Sequence, residues 1–372
     1  MMIALLTFFI LCIFSVFITH PRLLISFDFY RRDGNVFISY LSLVVLICSA
    51  VNFDIWKIIK HFVYISTVAS IAAIALHYLK MTKSYPEYWM FFTAHNAAGG
   101  FLGMVCIFNF ALVGKTKARG IPFLCLFVNL FSLYLTNSRG SIFPLIGAFI
   151  YLFMVRKTVF KSFDIVINVL IFIAMFLFVV SVVAVRGEDT LVHVSSFSLP
   201  EEFEGSMIDR FVSSIGRGGT IVDRLYYLYP KAIYMFNLSP FIGVGMGTFN
   251  DIPIDIVGIP NFISLNLGEA INNDSHAHNS FFHILAENGI LGFSMVVLFL
   301  WYVRSYSKKI KDKHLSNLIF LGINFAILSS FTEHRLFTPS EMLPFIYILG
   351  MIISKENYRI KKESYVKECS SC

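Results

Sequence analysis

Residues 275–302 read SHAHNSFFHILAENGILGFSMVVLFLWY and join a long polar stretch to a long apolar one. Two histidines, His276 and His278, stand at the polar end of this junction. The segment from Ser280 to Tyr302 has the length that a helix needs to cross a bilayer, about 20 residues. Because an imidazole exchanges a proton near neutral pH, the junction predicts proton chemistry at the water-facing mouth of a membrane helix.

The composition of the whole chain agrees with this interpretation. The 372 residues are 57% hydrophobic and 14% charged, with 41 phenylalanines and a mean hydropathy of +0.72. A soluble globular protein has a lower apolar content and more charge. The predicted fold class is therefore an all-α polytopic membrane protein.

Ten apolar segments are predicted to cross the membrane. They are Met1–Thr19, Val36–Val51, Phe62–Leu79, Phe91–Val113, Ile121–Thr136, Ile142–Val155, Ile165–Val185, Ser280–Tyr302, Leu315–Phe331 and Met342–Ser354. The first of them lacks the basic start and small-residue cleavage site of a signal peptide, so we expect it to be retained. Four regions follow, namely membrane helices in 1–185, one large extracytoplasmic loop in 186–279, membrane helices in 280–354 and a basic tail in 355–372.

The distribution of basic residues predicts the orientation of the chain. More than half of the 30 lysines and arginines fall in short segments on one side, including the tail. The positive-inside rule places that side, and both termini, in the cytoplasm. We therefore expect a multi-pass membrane protein whose large loop and candidate site residues lie on the face away from the cytoplasm. Because the positive charge lies in short membrane loops, it does not indicate a nucleic-acid partner.

The large loop contains an ordered-looking segment, residues 220–249. Apolar residues at helical spacing and four tyrosines predict a helix at the membrane interface, kinked or divided at Pro230. The triplet Gly243, Gly245 and Gly247 that follows permits tight turns or a close backbone approach. It lacks the strand and helix context that identifies a phosphate-binding loop.

Several arginines can each be interpreted either as an anion contact or as a structural charge. Arg139, in LTNSRGSIF, is either a bidentate phosphate clamp or a turn residue that reaches the lipid headgroups. Arg224 is either an anion contact on the interfacial helix or an ordinary exposed charge. Arg217 is a weaker candidate of the same kind. Arg335 is either a third anion contact or a capping or interfacial charge.

The polar residues around the junction also allow both a structural and a chemical interpretation. His278 stands at the helix mouth, where it is better placed for chemistry than His283 or Glu287. Asn279, His283 and Glu287 recur every four residues, so they form one polar stripe, which is typical of hydrogen bonding between helices. His276 and His278 lack a clear third ligand, so no metal site is expected.

Four motifs together resemble the O-antigen ligase and polymerase superfamily of bacterial envelope glycosyltransferases. His278-Asn279, nine residues, Gly289, two residues and Gly292 resemble the family's histidine motif. Residues 136–149, TNSRGSIFPLIGAF, resemble its S/T-R motif, and residues 223–249 resemble its arginine-bearing helix and glycine-rich turn. The last helix pair also follows in the order that the family shows. The resemblance therefore covers roughly residues 95–350.

This resemblance implies a GT-C-like membrane glycosyltransferase whose donor is a glycan on undecaprenyl diphosphate. Arg139 and Arg224 would bind the diphosphate, and His278 would be the catalytic base of a metal-independent, inverting transfer that needs no cofactor. His276, Asn279, Arg335 and Arg217 are further site residues on this reading.

The acceptor implied for an O-antigen ligase is the lipid A–core sugar. A repeat-unit polymerase of O-antigen, capsule or exopolysaccharide has the same donor chemistry and another lipid-linked glycan as acceptor. A transporter of lipid-linked sugars is a further alternative, although such proteins show repeated halves with broken helices in matching places.

Overall fold

The computed structural model describes residues 1–19, 35–82, 84–92, 94–157, 224, 228–249 and 276–370. Within these residues the regular structure is helical, without a β-strand. The helices, numbered in chain order, are α1 (Met2–Thr19), α2 (Asn35–Ser49), α3 (Ile55–Tyr78), α4 (His95–Lys115), α5 (Gly120–Leu135), α6 (Arg139–Lys157), α7 (Tyr229–Leu238), α8 (Ser280–Ser307), α9 (Lys313–Ser329) and α10 (Pro339–Ser370).

The helices coincide with every predicted span except Ile165–Val185, which lies outside the described residues. Within the described part of the chain, four helices are long and apolar enough to cross a membrane, namely α1, α3, α4 and α8. The all-helical prediction is confirmed for the described residues. The total of about ten spans, the extracytoplasmic position of the loop and the region boundaries stay predictions.

The chain divides into two compact units. The first unit contains described residues within 1–9, 35–152 and 295–370. The second contains those within 10–19, 153–157, 224, 228–249 and 276–294.

Helix α4 is the central helix of the first unit. It packs against α3, α5, α9 and α10, and most of its length from Ala98 to Leu112 is buried. Small residues let its neighbours approach closely. A Cβ atom on Gly103 would lie 2.4 Å from the ring of Phe325 on α9.

Large apolar side chains cover much of the exterior of the first unit. On α3, Ile65 and Val68 are 70% and 66% exposed, and Phe123 and Phe127 of α5 are exposed to a similar degree. A soluble monomer rarely leaves so much contiguous apolar surface in water. This surface is what a helix bundle presents to lipid.

A polar clamp ties three helix ends together in the first unit. Asp312 caps α9 by accepting hydrogen bonds from the amides of His314 and Leu315. The same carboxylate accepts from Lys115 Nζ at 2.9 Å and Trp56 Nε1 at 3.1 Å. Partial burial pushes the pKa of Asp312 up, but these hydrogen bonds outweigh it and hold the pKa below its ordinary value.

In the second unit, one face of α7 is buried. Leu228, which immediately precedes the helix, and Lys231, Ala232 and Met235 within it are each at most 1% exposed, and they recur at helical spacing. Pro230 stands in the first turn of α7, where a missing N–H breaks no helical bond. Most of the residues that precede α7 in the predicted loop helix lie outside the described residues, so the kink or division at Pro230 stays a prediction.

Candidate functional site

Asn279 fixes the start of α8. Its Oδ1 atom accepts hydrogen bonds from the backbone N–H groups of Phe281 at 2.9 Å and Phe282 at 3.2 Å. Asparagine is a favoured residue for this capping role, because a helix start leaves its first amides without helical partners. The side chain is only 2% exposed, so its oxygen serves the fold directly beside His278.

His278 adopts a backbone conformation that is rare for a residue with a side chain. Its φ is +49°, in the left-handed region that favours glycine. Its amide donates to Nδ1 of His276 at 3.4 Å, and the two imidazole rings lie 4.5 Å apart. An accepting Nδ1 places the proton of a neutral His276 on Nε2. Strain of this kind concentrates at functional sites.

Helix α8 is interrupted at Gly289. This residue has φ +61° and ψ −169°, far from helical values. An unbroken helix would bond the amide of Ile290 to the carbonyl of Ala286, and the amide of Leu291 to that of Glu287. The predicted continuous span Ser280–Tyr302 is therefore two helical arms joined at a glycine.

The glycine-rich turn replaces the two helical bonds that the interruption removes. The four exchanged bonds run, donor first, from Val244 to Ala286 (3.1 Å), from Gly245 to Glu287 (3.0 Å), from Ile290 to Pro240 (2.8 Å) and from Leu291 to Phe241 (3.2 Å). The main-chain groups of these two helical bonds thus have new main-chain partners in the turn. The turn and the helix break form one hydrogen-bonded join.

Glu287 holds the far end of the same turn. Its carboxylate accepts from the amides of Gly247 and Phe249, both at 2.9 Å. His283 Nε2 lies 3.2 Å from Glu287 Oε2. Both side chains are at least nine-tenths buried. Hydrogen bonding between helices was expected of this polar stripe, but Glu287 bonds the amides of the turn and Asn279 caps its own helix.

These contacts bear on the phosphate-loop reading of the glycine triplet. Four amides of the turn, those of Val244, Gly245, Gly247 and Phe249, donate to carbonyl or carboxylate oxygens of α8. Amides engaged in this way do not face a phosphate. The glycines are needed because φ at Gly243, Gly245 and Gly247 is +75°, +108° and +81°.

A Gly243→Ala substitution is expected to disrupt the join. The new Cβ would lie 2.2 Å from the carbonyl carbon of Glu287, at a φ that costs a non-glycine residue about 1–3 kcal/mol before the clash is counted. We expect a large fall in the yield of monodisperse protein and in its melting temperature in detergent. Gly120→Ala is the matched control, since nothing lies within 4 Å of its Cβ position. A Gly243→Ala protein that melts with the wild type would contradict the role of the join.

Two residues of the predicted site belong to the first unit. Arg139 is the first residue of α6 and is half-buried. Arg335 is 2% exposed, and its guanidinium contacts Asn96, Ser141 and Glu341.

The second unit holds His276, His278 and Asn279 beside one another and also holds Arg224, which is half-buried. Arg217 lies outside the described residues. Sequence reasoning did not identify Glu341, Asn96, Ser138 and Ser141. The adjacent small residues Gly99 and Gly100 were the available signal, because paired glycines in a membrane helix mark a close neighbour.

One comparison with known proteins bears on this arrangement. Residues 124–297 match the model of the O-antigen ligase family. The matched segment includes Arg139, Arg224, His278, Glu287 and Gly289, whereas Arg335 lies beyond it. No curated protein matches the chain. The family match confirms the resemblance to the O-antigen ligase and polymerase superfamily and supports a function of that general type.

Proposed function

Because residues 124–297 carry the O-antigen ligase family segment, we propose that this protein is a membrane glycosyltransferase of surface polysaccharide assembly. It transfers a glycan from undecaprenyl diphosphate to a hydroxyl group, with lipid A–core as the acceptor. The family match carries the proposal, because the matched segment holds both diphosphate-binding candidates and the histidine. The protein lies in the inner membrane with its termini in the cytoplasm and its site on the periplasmic face.

The proposed reaction is a single displacement at the anomeric carbon. The acceptor hydroxyl oxygen bonds to that carbon, and the bond between the carbon and the diphosphate oxygen breaks. The departing undecaprenyl diphosphate keeps the electron pair and gains negative charge. One displacement inverts the configuration of the anomeric carbon.

His278 takes the proton of the acceptor hydroxyl as the new bond forms. A neutral imidazole is suited to this step, because its proton affinity matches the working pH. Two observations favour His278 over the other polar residues of α8. His278 has a strained backbone and a half-buried side chain at the helix mouth, whereas His283 and Glu287 are committed to each other and to the turn.

Arg139 and Arg224 bind the diphosphate. A guanidinium binds phosphate oxygens through two parallel hydrogen bonds and keeps its charge at every physiological pH. Fixed positive charge near the low-dielectric lipid stabilises the growing charge of the leaving group more strongly than a solvated group would. In this proposal the arginines supply the positive charge that a divalent ion supplies in many glycosyltransferases.

Surface glycan from a deletion strain tests the proposal. We expect the strain to make an intact lipid A–core without long chains and to accumulate polymer on the lipid carrier, with both changes reversed by the wild-type gene. A core that bears a single repeat unit would identify a repeat-unit polymerase. An unchanged glycan pattern on the gel would overturn the proposed function.

A further inference from the structure

We infer that Arg335 and Glu341 form a buried ion pair that positions the turn carrying Arg139 and do not themselves bind substrate. The inference rests on the proposed contact between Arg139 and the donor diphosphate. All of the residues involved belong to the first unit.

Each of the three nitrogens of the Arg335 guanidinium lies close to an internal oxygen. Its Nη1 donates to the backbone oxygen of Asn96 at 2.7 Å, and its Nη2 donates to Ser141 Oγ at 3.1 Å. Its Nε lies 3.3 Å from Glu341 Oε2. An arginine whose three nitrogens face internal oxygens has no edge for the bidentate contact with a phosphate.

Glu341 completes the charge balance of this cluster. It is wholly buried, and its Oε1 accepts a hydrogen bond from Ser329 at 3.0 Å. A second anion at Arg335 would have to displace this carboxylate within the buried interior of the unit. Since a buried charge is costly without its partner, the pair is expected to stay closed when substrate binds.

Asn96 connects the ion pair to the turn. While its backbone oxygen accepts from Arg335, its side-chain Oδ1 accepts from Ser138 Oγ at 3.1 Å and its Nδ2 donates to Glu333 at 3.0 Å. Ser138 and Ser141 also hydrogen bond to each other at 3.0 Å. Arg139 therefore lies between two serines, of which one bonds Asn96 and the other bonds Arg335.

Three glycines leave the space that the cluster needs. A Cβ on Gly99 would lie 2.4 Å from Ser138 Cβ, and one on Gly100 would lie 2.3 Å from Glu341 Oε2. On the other side, a Cβ on Gly140 would be 3.1 Å from the side chain of Glu333. The turn is thus enclosed by close contacts on both sides of Arg139.

This network suits Arg139, which is proposed to bind the donor diphosphate in one fixed geometry. Side chains that bind a reacting group are most effective when their neighbours already hold them in place. The network fixes the backbone of the turn, while Arg139 itself stays half-exposed. Arg335 and Glu341 are therefore positioning residues that act through Arg139.

Hydrogen exchange tests the positioning directly, without an activity assay. In Glu341→Gln, the amides of Ser141 and Ile142, which bond to the Ser138 carbonyl, should exchange at least about tenfold faster than in the wild type. Glu356→Gln is the matched control, because this half-exposed glutamate of the same helix pairs with Arg359, outside the cluster. Unchanged exchange in Glu341→Gln would overturn the inference. If that variant does not fold, Ser141→Ala removes one contact of Arg335 and is measured in its place.

A double-mutant cycle tests whether the positioning acts through Arg139. Glu341→Gln should lower kcat/KM by about tenfold to a hundredfold in the wild type, but by less than about twofold in an Arg139→Lys background. Equal losses in both backgrounds would overturn the inference. Faster exchange of the turn with unchanged glycan transfer in both backgrounds would support the positioning and would count against the proposed role of Arg139.

Discussion

Replacing His278 by alanine is expected to abolish glycan transfer while the protein still inserts and purifies normally. General-base catalysis contributes about 10²–10⁴ to a rate, and an alanine cannot accept the proton of the acceptor hydroxyl. The expected result is a loss of that size in transfer of glycan from the lipid-linked donor by purified protein. The substitution is expected to cost little packing energy, because the native side chain is only half-buried.

Two control variants separate catalysis from local structure. His61→Ala removes an exposed histidine of α3 and should leave the rate unchanged. His276→Ala removes the acceptor of the His278 amide and should reduce the rate less than His278→Ala does. A well-folded His278→Ala protein with more than about a tenth of the wild-type rate would end the assignment of this residue as general base.

The second large effect is expected at Arg139. Removing one group that stabilises developing negative charge typically costs about 10²–10³ in rate, so Arg139→Ala should fall in that range. Arg139→Lys keeps the charge but loses the planar fork, and we expect it to recover only a small part of the lost rate. The assay measures kcat and KM for the donor in parallel.

The exposed Arg119 offers the matched control for this substitution. Arg119→Lys should leave transfer unchanged, since this residue lies before α5 and makes no side-chain cap. If lysine at position 139 supported wild-type kinetics, the residue would be better explained as a turn arginine that reaches the lipid headgroups.

The helices were predictable because each carries its signal in a continuous stretch of sequence. Apolar runs such as Phe91–Val113 have the length and hydropathy of α4, so local composition identified them. The periodicity of Asn279, His283 and Glu287 likewise predicted a polar face from spacing alone. Some helices are longer than the predicted spans, because α3 begins at Ile55 and α10 continues to Ser370.

The contacts that organise the candidate site were not predictable, because they join distant parts of the chain. Arg335 bonds a backbone oxygen 239 positions earlier in the sequence. The break at Gly289 is completed by hydrogen bonds to a distant turn that begins at Pro240, so the helical pattern of residues 280–302 does not predict it. A single sequence carries the residue types for such contacts but not their pairing.

The join between the glycine-rich turn and α8 is made almost wholly of main-chain atoms. Peptide groups are the same at every position, so the main-chain bonds of the join depend little on which side chains surround them. The join does require glycines at fixed positions, above all at Gly243 and Gly289, where a Cβ atom would clash with the main chain. Chains of low sequence identity can therefore form the same join. The spacing of their glycines is expected to identify it better than their overall sequence identity does.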